Sequence, residues 1–263
     1  PDLAYDSEKT IAEAKDLFST IGKKNILIKV PATPQGVPAI EKLTADGVNV
    51  NVTLLFSVKR YEEIAGAYIQ GLEKRAARGL PIMDIASVAS FFVSRVDTLI
   101  DKSLETRQAS SRSQAEKSKL KSLLGQAAVA NARVAYRKYR EIFGGPRFRA
   151  LKGSRIQRIL WGSTGTKNPA YSDVKYVEEL IAPDSINTLP DATLKAFMDH
   201  GKPRITIEDN LAAAENLFAE LAAFQIDIEQ AAAQLENEGV KLFADSFDSL
   251  LKDIQEKKNL MVS

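Results

Sequence analysis

Apolar residues recur along the chain in two rhythms, and the switches between them mark the elements. From 6 to 18, Ile11, Ala14, Leu17 and Phe18 return on one face at helical spacing; Asp6 or Ser7 can cap this helix and Gly22 ends it. The run 25–30, NILIKV, reads as a strand, 35–44 as a helix with Pro38 in its first turn, and 48–56 as a second strand. A helix from Ser57 or Val58 to Leu72 puts Tyr61, Ile64, Ala65, Tyr68 and Ile69 on its apolar side. The third strand is 87–93, and a long polar helical region follows over 96–142. Within it 108–119, rich in Ser, Lys and Gln, is expected to fray or loop, while 127–139 is the firmest helix. Gly144-Gly145-Pro146 breaks the chain before a fourth strand at 158–161. Helices are expected at 173–180, 192–200, 210–222 and 228–256, the last with Gly239 as the place for a break. A short fifth strand lies at 185–188, and 204–207 is ambiguous.

Strands alternating with helices predict a parallel sheet, in which polar residues at the C-terminal strand ends form the site. The length of 263 residues allows one large α/β domain, 1–263, with 210–263 packing as C-terminal helices on a barrel. No solenoid repeat is present.

Composition narrows the chemistry. The chain has no Cys, so disulfides and thiolate catalysis are excluded, and it has one His, His200, so a multi-histidine metal site has nothing to draw on. The absence of Cys fits a cytoplasmic location. No apolar run approaches the ~18 residues that span a membrane, and the polar start carries no secretory pattern. Net charge is +2, yet 101–158 holds 15 Lys and Arg against 4 Asp and Glu. Such a basic stretch can hold sugar phosphates or be a solvated helical face; with few aromatics interleaved for base stacking, no nucleic acid is expected.

Lys29 stands out, a cation inside an apolar strand. It alternates with Ile28 and Val30 and so points away from their face, inward if the sheet is a barrel. Burial lowers a lysine's pKa, and a neutral amine attacks a ketone to form a Schiff base. The plainer alternative is a structural lysine paired with a carboxylate or reaching water. Asn49, Asn51 and Thr53 share parity and line one face; Asn51 and Thr53 either meet substrate hydroxyls and a water or satisfy one another. Ser90 and Arg95 close the third strand, Arg95 to grip phosphate or to pair with Asp97 or Asp101. The loop 162–168, GSTGTKN, can present backbone N–H groups to phosphate, although it lacks the full P-loop pattern.

Six stretches carry a family resemblance: PDLAYDSEKT at the start, ILIKVPAT around Lys29, VNVNVTLLFS at 48–57, SVASFFVSRVDTLID at 87–101, RILWGSTGTKNPAYSD at 158–173 and INTLPDATLKAF at 186–197. Together they span essentially the whole chain. The chain resembles transaldolases, most closely the longer bacterial and cyanobacterial type. The resemblance implies a (β/α)8 TIM barrel of the class I aldolase type. It implies transfer of a dihydroxyacetone unit between a ketose phosphate and an aldose phosphate in the non-oxidative pentose phosphate pathway, without cofactor or metal. Implied substrates are fructose 6-phosphate, sedoheptulose 7-phosphate, glyceraldehyde 3-phosphate and erythrose 4-phosphate. The Schiff-base lysine maps to Lys29, the threonine holding a catalytic water to Thr53, and substrate contacts to Asn51, Ser90 and Arg95. Ser163 and Lys167 are the nearest matches to a second phosphate-binding pair, in a loop of different length.

Against the eight strands of such a barrel, about three lie ahead of Pro1 in the family. They carry an Asp and a Glu for proton transfer and an Asn for substrate. The expectation is therefore that a companion N-terminal segment supplies them. The alternative is a non-catalytic fragment or subunit that binds sugar phosphate or a partner chain. A third reading, a small Schiff-base aldolase on the same fold, sits badly with the long region 102–152.

Overall fold

The computed structural model describes residues 2–262, with side chains to 259. Local capping sets the first helices. Asp6 accepts from the Lys9 N–H at 3.0 Å and starts α1 (Ser7–Ile21); Gly22, at φ 61°, ends it. The chain continues through β1 (Ile28–Pro31), α2 (Gly36–Asp46) and β2 (Val50–Leu55). Ser57 caps α3 (Val58–Ala77), which leads to β3 (Ser87–Phe92).

The polar helical region is three helices, α4 (Ser94–Ser110), α5 (Gln114–Leu123) and α6 (Ala127–Phe143), and the stretch 108–119 expected to fray or loop is non-helical only over 111–113. The first break falls inside the serine-rich stretch, where the Ser113 side chain accepts from the Glu116 N–H and starts α5 afresh. After the glycine pair come α7 (Pro146–Arg149) and β4 (Arg158–Gly162). The helix expected at 173–180 is only one turn, α8 (Lys175–Glu178), and β5 (Ile186–Asn187) is a two-residue strand. Then follow α9 (Asp191–His200), α10 (Leu211–Ala223) and α11 (Ile228–Val262), which runs unbroken through Gly239. Residues 204–207 form neither helix nor strand.

The five strands are all parallel and lie in chain order, β1-β2-β3-β4-β5. Each crossover steps to the next neighbour in one direction. That is the winding of a barrel, not of a doubly wound sheet, whose order reverses. Among the described residues β1 and β5 do not pair with each other, so the sheet is open.

Its two faces differ. One carries Val30, Val52, Ala89, Phe91, Ile159 and Trp161, all buried beneath helices. Tyr61 of α3 meets Phe91 edge-on at 6.5 Å, and Phe91 meets Trp161 at 6.2 Å. Each such side chain stabilises the fold by about 2–3 kcal/mol through burial. The other face carries Lys29, Asn51, Thr53, Val88, Ser90 and Leu160 in register. Here the expectation of a buried lysine is corrected: Lys29 is exposed, because its face of the open sheet is only partly covered by the described residues.

Four basic residues of the middle stretch pair with later acidic residues. Arg133 pairs with Glu179, Arg137 with Glu215, Arg140 with Glu208 and Lys119 with Glu220. These are mostly exposed pairs that tie α5 and α6 to later elements and contribute little each.

Candidate active site

Parallel register builds the site from three strands. Lys29 lies beside Asn51, and Pro31 beside Thr53. Lys29 makes no ion pair among the described residues, so the reading of a carboxylate-paired lysine is not realised. Partial burial around the ammonium lowers its pKa below 10.5 although the side chain as a whole is exposed. The Phe243 ring of α11 partly covers it, with its centroid 5.5 Å from Nζ.

Asn51 Oδ1 accepts from Ser90 Oγ at 2.7 Å, which fixes the amide and leaves its nitrogen without a partner among the described residues. Thr53 is buried, and its Oγ1 has no hydrogen-bond partner among the described residues. A buried hydroxyl in that state asks for a small polar guest such as water. Asn49, expected on the same face, works elsewhere. It precedes β2, donates to Lys24 O at 3.1 Å and accepts from the Ala86 N–H at 2.8 Å, tying the N-terminal strand ends together.

A second group forms where β3 and β4 end. The Val93 N–H donates to Gly162 O and the Ser94 N–H to Ser163 O, both at 3.0 Å, and the two serine hydroxyls are 3.0 Å apart. Ser163 adopts φ 54°, and Gly162 is needed because a Cβ there would stand 2.7 Å from the Phe92 ring. Arg95 follows at once, its guanidinium 5.9 Å from the Phe92 ring centroid. It has no carboxylate partner among the described residues, so the surface ion pair with Asp97 or Asp101 does not form.

Both aspartates are engaged. Asp97 accepts from the Ala128 N–H at 2.7 Å and Tyr176 OH at 2.8 Å, with Lys175 Nζ at 3.6 Å. Asp101 accepts from the Gly125 N–H at 2.8 Å and Tyr171 OH at 2.7 Å. They hold the start of α6 and the segment after the β4 loop against α4. Lys167 stands apart from Arg95, lining a cavity of about 170 Å³ with Asp97, Asp101, Glu105 and Tyr171.

Lys29, Asn51, Thr53 and Ser90 therefore come together, as do Ser163 and the Arg95 turn, while Lys167 joins neither group through a direct contact. Sequence reading missed Ser94, whose partner is 69 residues away, and Phe243, which no motif marks. Among the described residues no cluster of three His, Cys, Asp or Glu could hold a metal ion, and no helix is long and apolar enough to cross a membrane.

A family model described as Transaldolase/Fructose-6-phosphate aldolase matches residues 1–254. The chain belongs to the transaldolase family. A transaldolase of Saccharopolyspora erythraea is 47% identical over 260 residues, covering 98% of this chain and 68% of that relative. The transaldolase of Mycolicibacterium paratuberculosis is 49% identical over 261 residues, covering 98% and 68%. That of Trichodesmium erythraeum is 45% identical over 261 residues, covering 98% and 69%. Membership agrees with the chain-order parallel sheet, the winding of a TIM barrel.

Proposed function

We propose that Lys29 is the nucleophile of a transaldolase reaction, forming a Schiff base with the ketose carbonyl. The transaldolase family and its named relatives give the reaction class: a transferase acting on sugar phosphates. In this reading the neutral Lys29 amine adds to the carbonyl of fructose 6-phosphate or sedoheptulose 7-phosphate and water leaves. Cleavage then releases an aldose phosphate and leaves a dihydroxyacetone unit on nitrogen. That unit adds to glyceraldehyde 3-phosphate or erythrose 4-phosphate, and hydrolysis frees Lys29. The setting is the pentose phosphate pathway in the cytoplasm.

Asn51 and Ser90 present polar groups to substrate hydroxyls, and Thr53 holds a water through its unpartnered hydroxyl. Arg95, without a carboxylate partner among the described residues, takes the phosphate, with Ser163 on the neighbouring loop and Lys167 as a further cation. The observation that carries the reading is Lys29 itself: an amine of lowered pKa, without a counter-ion among the described residues, set in register beside Asn51.

Borohydride reduction in the presence of fructose 6-phosphate tests it. Mass spectrometry should find the added three-carbon unit on Lys29. A label on another lysine, or none, would overturn the assignment.

A further inference from the structure

The helix α11 spans 35 residues, and its first half is seated on the end of the sheet that carries the site. Tyr5 OH donates to Asn237 Oδ1 at 2.8 Å, and Arg60 Nε lies 3.8 Å from Glu236. The closest approach is at Gly239. A Cβ there would stand 2.7 Å from Leu54 Cδ2, and the other atoms it would meet also belong to the Leu54 side chain. Glycine inside a helix costs about 1 kcal/mol relative to alanine, so its presence here needs a reason, and the contact supplies one.

Leu54 is itself unusual. It sits in β2 at φ 56°, where the register with β3 shifts between Val52 and Leu55. Holding a leucine in the left-handed region costs about 1–3 kcal/mol and persists only where packing enforces it. Leu54 is buried, immediately follows Thr53 and lies against Gly239. One helical turn beyond Gly239, on the same face, Phe243 covers the Lys29 amine.

We infer that α11 is a wall of the Lys29 site: the Leu54–Gly239 seat holds Phe243 against the amine and keeps the bulge that aims Thr53. This rests on Lys29 being the nucleophile. The Schiff base of a ketose is an iminium cation when protonated, and an aromatic face beside it stabilises that charge while excluding water from one side. Phe243 and Gly239 are then positioning residues that favour the intermediate.

The test uses four variants of the full chain, assayed for transfer and for borohydride trapping. Phe243 is 42% exposed, so its replacement should leave folding intact. Phe243→Leu should lower kcat by about five- to tenfold with KM little changed, and Phe243→Tyr should keep activity because the ring remains. Gly239→Ala should lower kcat similarly, and the Leu54→Ala/Gly239→Ala pair should recover much of it by making room for the added methyl. Wild-type kinetics for Phe243→Leu, or a double variant no better than Gly239→Ala alone, would overturn the inference. If Gly239→Ala does not fold, the two Phe243 variants decide. Failure of the parent chain to trap at Lys29 would instead sink the nucleophile assignment.

Discussion

Ser90 donates its hydroxyl hydrogen to Asn51 Oδ1 at 2.7 Å, joining two strands on the face that carries Lys29. The bond decides which end of the amide meets the pocket. Ser90→Ala lets the amide rotate and should raise KM by about five- to tenfold, the worth of one such bond. Asn51→Asp keeps the acceptor for Ser90 but sets an anion beside Lys29. An anion favours the ammonium, so the pH at which activity appears should move upward. Steady-state kinetics across pH check both; an unchanged profile for Asn51→Asp would separate the two residues functionally.

Lys29 carries a pH dependence of its own. Its pKa in the folded chain lies below 10.5 because burial disfavours the charged form. Schiff-base formation should rise with pH through that lowered value. Stability follows the same sign. In the window below 10.5 the unfolded chain binds more protons, so stability rises with pH there and falls as pH drops through the folded value. Lys29→Met should abolish trapping, remove this dependence and raise the thermal midpoint at neutral pH, as read by circular dichroism melts.

Thr53→Val separates chemistry from folding. The Thr53 hydroxyl is buried but bonds to no described residue, so removing it breaks no protein hydrogen bond. The thermal midpoint should hold or rise slightly. Turnover should nevertheless fall by at least about tenfold if the hydroxyl holds a water used in proton transfer.

Asp97 should govern stability. Asp97→Ala strands the Ala128 N–H, the Tyr176 hydroxyl and Lys175, and should cost about 3–5 kcal/mol in urea denaturation, as when a buried pair is broken. Burial raises the Asp97 pKa above its ordinary 3.8. Stability from this group is full below 3.8 and is lost as pH rises through the folded value. Asp97→Asn should flatten that part of the stability profile.

Much of the architecture was legible because its signals are local. Asp6 and Gly22 bound α1, Ser57 starts α3, and Ile28, Val30, Val50 and Val52 mark strands by burial. Strand parity brought Asn51 and Thr53 to one face. What stayed hidden depends on distant partners. The Ser94–Ser163 contact needs β3 and β4 side by side, and Tyr176–Asp97 needs a loop folded onto α4. The stretch 108–119 is expected to fray or loop, but the helix resuming at Gln114 turns on the Ser113 cap, a local bond that composition alone does not reveal. The exposure of Lys29 was out of reach too, because an apolar flank says nothing about what covers the opposite face.

The irregularity in β2 has one more meaning. Val52 pairs with Ala89 but Leu55 with Phe91, so β2 spends three residues where β3 spends two. Strict alternation would send Phe56 to the helix side with Val52. The surplus residue reverses the phase, and Phe56 instead meets Phe92 edge-on at 5.3 Å. The strand is thus written in two reading frames, with Leu54 as the inserted letter. Deleting it would restore strict alternation with Leu55 and Phe56 on their present faces but remove the side chain that meets Gly239, whereas a regular strand of the present length would turn both over, which makes chain length here, and not only composition, part of the pocket's specification.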